Sequence, residues 1–122
     1  MNTLTAVVIE DDPDLSHLIK TVLERGGFTV HTADNGPAGV RAVREHNPSL
    51  VTSDMNLPGF DGLEVIRRVR LFSNVPLMII SAGDELGDLE ITLTAGADHY
   101  LPKPFRPKIL QAFAHALLRR PA

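Results

Sequence analysis

The sequence predicts an α/β domain, a five-stranded parallel sheet with helices on both faces, and three observations predict it. Short apolar runs alternate five times with segments of helical spacing, the pattern of parallel strands and their crossover helices. Gly, Pro and Asn mark most of the junctions. Glu10, Asp11, Asp54, Ser81 and Lys103 all fall at or just after apolar runs. Those are the carboxyl ends of strands, where open sheets of this kind bind ligands beside a switch in strand order. Right-handed crossovers leave few topologies.

Residues 5 to 10 are expected as the first, buried strand. Asp12 then caps a helix whose first position is Pro13, where a missing N–H does no harm. Leu15, Leu18, Ile19, Val22 and Leu23 follow at the spacing of one helical face, and Gly26-Gly27 ends it. Residues 28 to 32 form a second short strand, and Asp34-Asn35-Gly36-Pro37 a turn. Residues 37 to 46 form a weaker helix stopped by Asn47-Pro48. Residues 50 to 53 are the third strand. After a loop through Pro58 and Gly62 comes a helix carrying Leu63, Ile66 and Val69, then the most apolar strand over residues 75 to 80. Ser81-Ala82-Gly83 forms its terminal loop. A helix around residues 85 to 95 is closed by Gly96, a fifth strand spans residues 99 to 101, and Pro107 opens a last helix to residue 120.

At 122 residues the chain is expected to be a single domain over residues 1–122, large enough for a core of its own. Hydrophobic residues at 43% and charged residues at 22% match ordinary globular composition. Apolar stretches reach only about 5 residues, far from the roughly 20 that cross a bilayer, and no basic-then-apolar leader opens the chain. A cytoplasmic setting without membrane contact is the expectation. The absence of cysteine excludes disulfides, thiolate metal sites and thiol redox chemistry. A net charge of −3 argues against direct nucleic-acid binding by this domain.

Asp54 is the most informative position. It ends the run Leu50-Val51-Thr52-Ser53 and is followed by Met55-Asn56-Leu57-Pro58-Gly59, so it stands at a strand tip. Val7-Val8-Ile9 likewise leads into Glu10-Asp11-Asp12-Pro13, and Tyr100-Leu101 into Pro102-Lys103-Pro104-Phe105. If these strands are parallel neighbours, three tips bring carboxylates and one ammonium together. Carboxylates within about 4 Å of one another repel by several kcal/mol per pair at an effective dielectric near 20, so a cation must join them. The ordinary reading of Glu10 and Asp11, acids before a helix amino terminus, would prevail without Asp54 and Lys103. Asp12 is explained by capping alone. A solvated loop lysine is the ordinary reading of Lys103, and its Pro-Lys-Pro-Phe setting weighs against that. The five histidines show no metal-ligand spacing and are expected at surfaces or edges.

Taken in order, Glu10-Asp11, Asp54-Met-Asn-Leu-Pro-Gly-Phe-Asp-Gly62, Ser81-Ala82 and Gly96-Ala-Asp-His-Tyr-Leu-Pro-Lys-Pro-Phe105 resemble the receiver domain of bacterial two-component response regulators over nearly the whole chain. The resemblance implies a flavodoxin-like (βα)5 fold in which Asp54 is phosphorylated by a sensor histidine kinase. It further implies Mg²⁺ held by Glu10, Asp11, Asp54 and the Asn56 carbonyl, Lys103 as the phosphate-binding cation, and Ser81 with Tyr100 as a switch pair. A cis Lys103-Pro104 bond is implied too. Serine at 81 replaces the commoner threonine, one methyl smaller, and Gly83 offers no side chain to shield an acyl phosphate. The Asp54 segment and the closing Leu117-Leu118-Arg119-Arg120 look most like OmpR/PhoB-type receivers, which precede a winged-helix DNA-binding domain. Such receivers dimerise through their fourth helix, fifth strand and fifth helix with charged pairs, whereas Leu89, His99, Ile109 and Phe113 stand here. A homodimer or partner contact through an apolar version of that surface is expected. Phe113 merely widening the core stripe is the alternative. A stand-alone receiver or phosphorelay protein remains an alternative to a DNA-binding regulator. An aspartyl-phosphate enzyme is disfavoured because Asp54-Met-Asn56 lacks a second acid.

Overall fold

The computed structural model describes residues 4–83 and 86–119. Strands and helices alternate as β1 (Leu4–Ile9), α1 (Pro13–Arg25), β2 (Phe28–Ala33), α2 (Gly36–His46), β3 (Leu50–Ser53), α3 (Gly62–Arg70), β4 (Leu77–Ser81), α4 (Leu86–Ala95), β5 (His99–Pro102) and α5 (Pro107–Leu118). All five strands are parallel and lie in the order β2-β1-β3-β4-β5. The chain steps outward from β1 to β2 and then returns to the other side of β1 at β3. The strand-order switch therefore opens a crevice at the carboxyl ends of β1 and β3.

Alternation along the strands divides the interior into two cores. Ala6, Val8, Leu50, Met78, Ile80 and Leu101 face a layer containing Ile19, Leu23, Leu110 and Ala114, hence α1 and α5. Val7, Ile9, Val51, Leu77 and Ile79 face Val43, Val65, Ile66 and Val69, hence α2 and α3. Each Val, Leu, Ile or Met side chain among them contributes about 1.5–3 kcal/mol when fully buried, and truncating Ile66 to alanine would cost about 2–5 kcal/mol.

The helix starts are built as the side chains dictate. Asp12 accepts the N–H groups of Asp14 and Leu15, Asn35 that of Ala38, and Asp61 that of Glu64. The expected turn at residues 34 to 37 is instead this cap: Asn35 starts α2 at Gly36, with Pro37 in its first turn. At the far end of α2 Asn47 adopts a left-handed conformation (φ 44°). Gly96, at φ +123°, ends α4 where a side chain would be strained.

Other boundaries moved for identifiable reasons. β4 begins at Leu77 rather than 75, since Pro76 has no N–H for a ladder and the Val75 carbonyl is taken by Arg70 Nη1 at 2.8 Å. It runs through Ser81, placing that hydroxyl on the strand. β1 covers 4–9, leaving Glu10 one residue past its end. On α3, Val65 joins Ile66 and Val69 in the core while Leu63 is only partly buried, and on α1 Leu18 is 40% exposed. The expected helix limits at residues 85 and 120 lie outside the described residues. No described helix is long and apolar enough to cross a membrane.

Candidate functional site

Ladder bonding continues past the strand ends and fixes the site. Glu10 N–H donates to Ala33 O (2.9 Å), Asp54 N–H to Ile9 O (2.9 Å) and Lys103 N–H to Ser81 O (2.8 Å). The pleat therefore carries Glu10, Asp54 and Lys103 onto the same face as Val8, Thr52 and Leu101. The charged cluster is the last layer of the α1/α5 core.

Carboxylate oxygens of Glu10, Asp11 and Asp54 all lie within 4.8 Å of one another. Glu10 and Asp54 are buried, at 3% and 7% exposure, whereas Asp11 is exposed. Lys103 Nζ is 3.1 Å from Glu10 Oε1 and 3.4 Å from Asp54 Oδ2. Asp54 Oδ1 accepts the Met55 N–H at 2.7 Å and Glu10 Oε2 that of Asp12 at 3.2 Å. Burial first, and then the Asp54 charge, raise the Glu10 carboxyl above its ordinary value, against the Asp12 N–H and Lys103, which lower it. One ammonium thus bridges two of the three acids. At 4.8 Å each ionised pair still repels by about 3 kcal/mol at an effective dielectric near 20.

Lys103-Pro104 is cis. On the next strand, Ser81 is 1% exposed and its Oγ accepts the Gly83 N–H at 3.2 Å. Tyr100 donates its hydroxyl to the Gly83 carbonyl. Gly83 therefore links the two residues through its own backbone. A Cβ on Gly83 would stand 2.3 Å from an Asp88 carboxylate oxygen, so α4 covers the place where a shielding side chain would go. Asn56 lies exposed on the loop after Asp54.

Two clefts flank the cluster. One of about 650 Å³ is lined by Glu10, Asp11, Ser16, His17, Lys20 and Asp34 among others. The other, about 510 Å³ and more apolar, is lined by Leu15, Leu18, Ala82, Lys103, Pro104 and Phe105 together with Asp12 and Asp14. The capping role expected of Asp12 is met.

Phe113, expected at an apolar contact surface, packs against the α1/α5 core and meets the His99 ring edge-on at a centroid distance of 4.0 Å. Widening of the core stripe describes it. Burial also lowers the His99 pKa. Ile109 remains 40% exposed. Sequence reasoning missed three features: the stacked rings of His31 and His46 at 3.6 Å, the Asp88 carboxylate over Gly83, and Thr52. The Thr52 hydroxyl is buried without a hydrogen-bond partner, at a cost of about 1–3 kcal/mol.

Residues 6–115 match the family described as the response regulator receiver domain. The DNA-binding response regulator MtrA of Mycolicibacterium smegmatis is 40% identical over 114 residues, covering 93% of this chain and 50% of that protein. The transcriptional regulatory protein AfsQ1 of Streptomyces coelicolor is 38% identical over 114 residues, covering 93% and 51%. Both are OmpR-family regulators, and the chain spans about half the length of these relatives. A two-component response regulator from Clostridium difficile superposes with a TM-score of 0.91 at 26% identity, over 96% of this chain and 97% of that one. The chain belongs to the response regulator receiver domain family, a phosphoacceptor switch rather than an enzyme.

Proposed function

We propose that Asp54 accepts a phosphoryl group from a partner histidine kinase, with Mg²⁺ held by Glu10, Asp11 and Asp54 and by the Asn56 carbonyl. The observation that supports it is the meeting of three carboxylates with one ammonium at the strand-order switch. This oxygen-only donor set suits magnesium, which keeps waters that a phosphoryl oxygen can displace. When bound, the ion neutralises the acids and draws charge from the phosphoryl group in transfer.

The chain's own residues supply the rest. An Asp54 carboxylate oxygen attacks phosphorus, the donor's P–N bond breaks, and its imidazole leaves with the electron pair. Lys103 exchanges its contact with Asp54 Oδ2 for a phosphoryl oxygen. Ser81 releases the Gly83 N–H as its hydroxyl turns to donate to the phosphoryl group. Because the Gly83 carbonyl holds Tyr100, that release reaches β5 and the neighbouring faces of α4 and α5. Differential interaction of a few kcal/mol is enough to shift such a two-state element. The surface of α4, β5 and α5 then addresses an output domain, a partner or a second copy.

Transcription regulation through a DNA-binding output is the reading suggested by the likeness to MtrA, a DNA-binding response regulator, and AfsQ1, a transcriptional regulatory protein. A receiver or phosphorelay protein acting without such an output is the second reading. Incubation with Mg²⁺ and acetyl phosphate, followed by intact mass, tests the shared step. One added phosphoryl group, absent from Asp54→Asn, is expected; no adduct on the parent chain, or an unchanged adduct on the variant, contradicts the proposal.

A further inference from the structure

Among the described residues, Thr52 Oγ1 is the one buried side-chain polar atom with no hydrogen-bond partner, and Thr52 is 1% exposed. Its surroundings are set by register. Val8 of β1 and Met78 of β4 stand beside it, and Leu50 lies two residues below on the same face. None of these accepts a strong hydrogen bond. Two residues above, on that face, stands Asp54, and diagonally across stands Glu10, which is two residues beyond Val8. The hydroxyl thus has apolar groups beside and beneath it and the acidic cluster overhead. A hydroxyl rotor without a partner is oriented by the local field, and the buried charges on this face are the carboxylates of Glu10 and Asp54, opposed by the single ammonium of Lys103. In a water-poor layer that field is weakly screened.

We propose that the Thr52 hydroxyl turns its proton toward the Asp54 and Glu10 carboxylates and favours the cation-free form of the cluster, thereby moderating its hold on a divalent cation. The sign follows from charge. Without the cation, three carboxylates and one ammonium leave two net negative charges; a divalent ion removes them. A dipole with its positive end toward the cluster stabilises the more negative state and repels the incoming ion. Valine is nearly isosteric with threonine, as well suited to a strand, and would leave no buried hydroxyl unmatched. The hydroxyl therefore works against fold stability at this position, and its effect is exerted on the acids above it.

This inference rests on the proposed metal site, and the test separates the two. Mg²⁺ affinity of the whole chain is measured by titration calorimetry at mildly alkaline pH for the parent, Thr52→Val and Thr52→Ser, with thermal unfolding of each in EDTA. Thr52→Val is expected to bind Mg²⁺ about two- to five-fold more tightly and to unfold in EDTA no lower than the parent. Thr52→Ser, which keeps the hydroxyl but loses a methyl group, is expected to keep parental affinity while unfolding lower. Equal or weaker binding by Thr52→Val, or an equal tightening in Thr52→Ser, overturns the inference and leaves the metal site standing. A parent chain that binds no Mg²⁺ overturns both.

Discussion

The two rims of this sheet handle charge in opposite ways. At the amino-terminal rim, Arg70 donates to Gly96 O (2.9 Å), Ser73 O (3.2 Å), Val75 O (2.8 Å) and Asp98 Oδ2 (3.0 Å). Asp98 Oδ2 also accepts the Leu77 N–H at 2.8 Å, joining the starts of β4 and β5. One guanidinium meets one carboxylate through Nη2, and three loop carbonyls accept from its Nε and Nη1. At the carboxyl-terminal rim, three carboxylates cluster and one ammonium pairs with two of them. The first arrangement is complete and fastens the fold. The second is left negative, and the fold tolerates it because the sheet and both cores lie beneath.

The largest expected effect breaks the complete rim. Arg70→Ala removes the cation from Asp98, which keeps the Leu77 N–H, and a donor from each of three carbonyls, and should lower stability by about 2–4 kcal/mol in denaturant unfolding, to the same extent with or without Mg²⁺. A loss below about 0.5 kcal/mol would mean that the clasp does not fasten the loops.

The incomplete rim should respond the other way. In EDTA at neutral pH, Glu10→Gln should stabilise the chain by roughly 1 kcal/mol, because it removes a buried charge from a like-charged group. The sign with pH follows from the raised Glu10 value. Between the ordinary 4.5 and that raised value the folded chain keeps a proton that the unfolded chain releases, so parental stability falls as pH rises through the window. The gain from glutamine is complete above the window and vanishes below it. A gain that grows on acidification would contradict the assignment.

The smallest effect concerns the output surface. Ile109 is 40% exposed, so Ile109→Glu should leave stability within about 0.5 kcal/mol while weakening any dimer formed by the phosphorylated chain, as read by light scattering. Phe113→Glu is a poorer probe because Phe113 packs on the core and on His99. A phosphorylated chain whose mass in solution is the same for parent and Ile109→Glu would remove this surface from the account.

Much of the fold was legible because local signals agreed with the global solution: strand-length apolar runs, helix caps such as Asp12, and acids at strand tips. The convergence of Glu10, Asp11, Asp54 and Lys103 follows from parallel neighbouring strands. What escaped depended on neighbours distant in sequence. Arg70 withdraws Val75 from β4; Val65 is buried because α3 turns that face to the sheet; His99 lies over Phe113 because β5 and α5 are packed together. Thr52 reads as an ordinary strand residue until the register shows that nothing beside it can accept its proton.

Thermal unfolding of the parent and Glu10→Gln, each in EDTA and in saturating Mg²⁺, tests most directly whether the carboxyl-terminal rim is built to take a cation. The account predicts that Glu10→Gln melts higher in EDTA, that Mg²⁺ raises the parent strongly, by about 2.7 kcal/mol at a hundredfold excess over the dissociation constant, and that the order of the two proteins then reverses. A parent whose unfolding is indifferent to Mg²⁺, or a Glu10→Gln variant that is the less stable protein in EDTA, would contradict it.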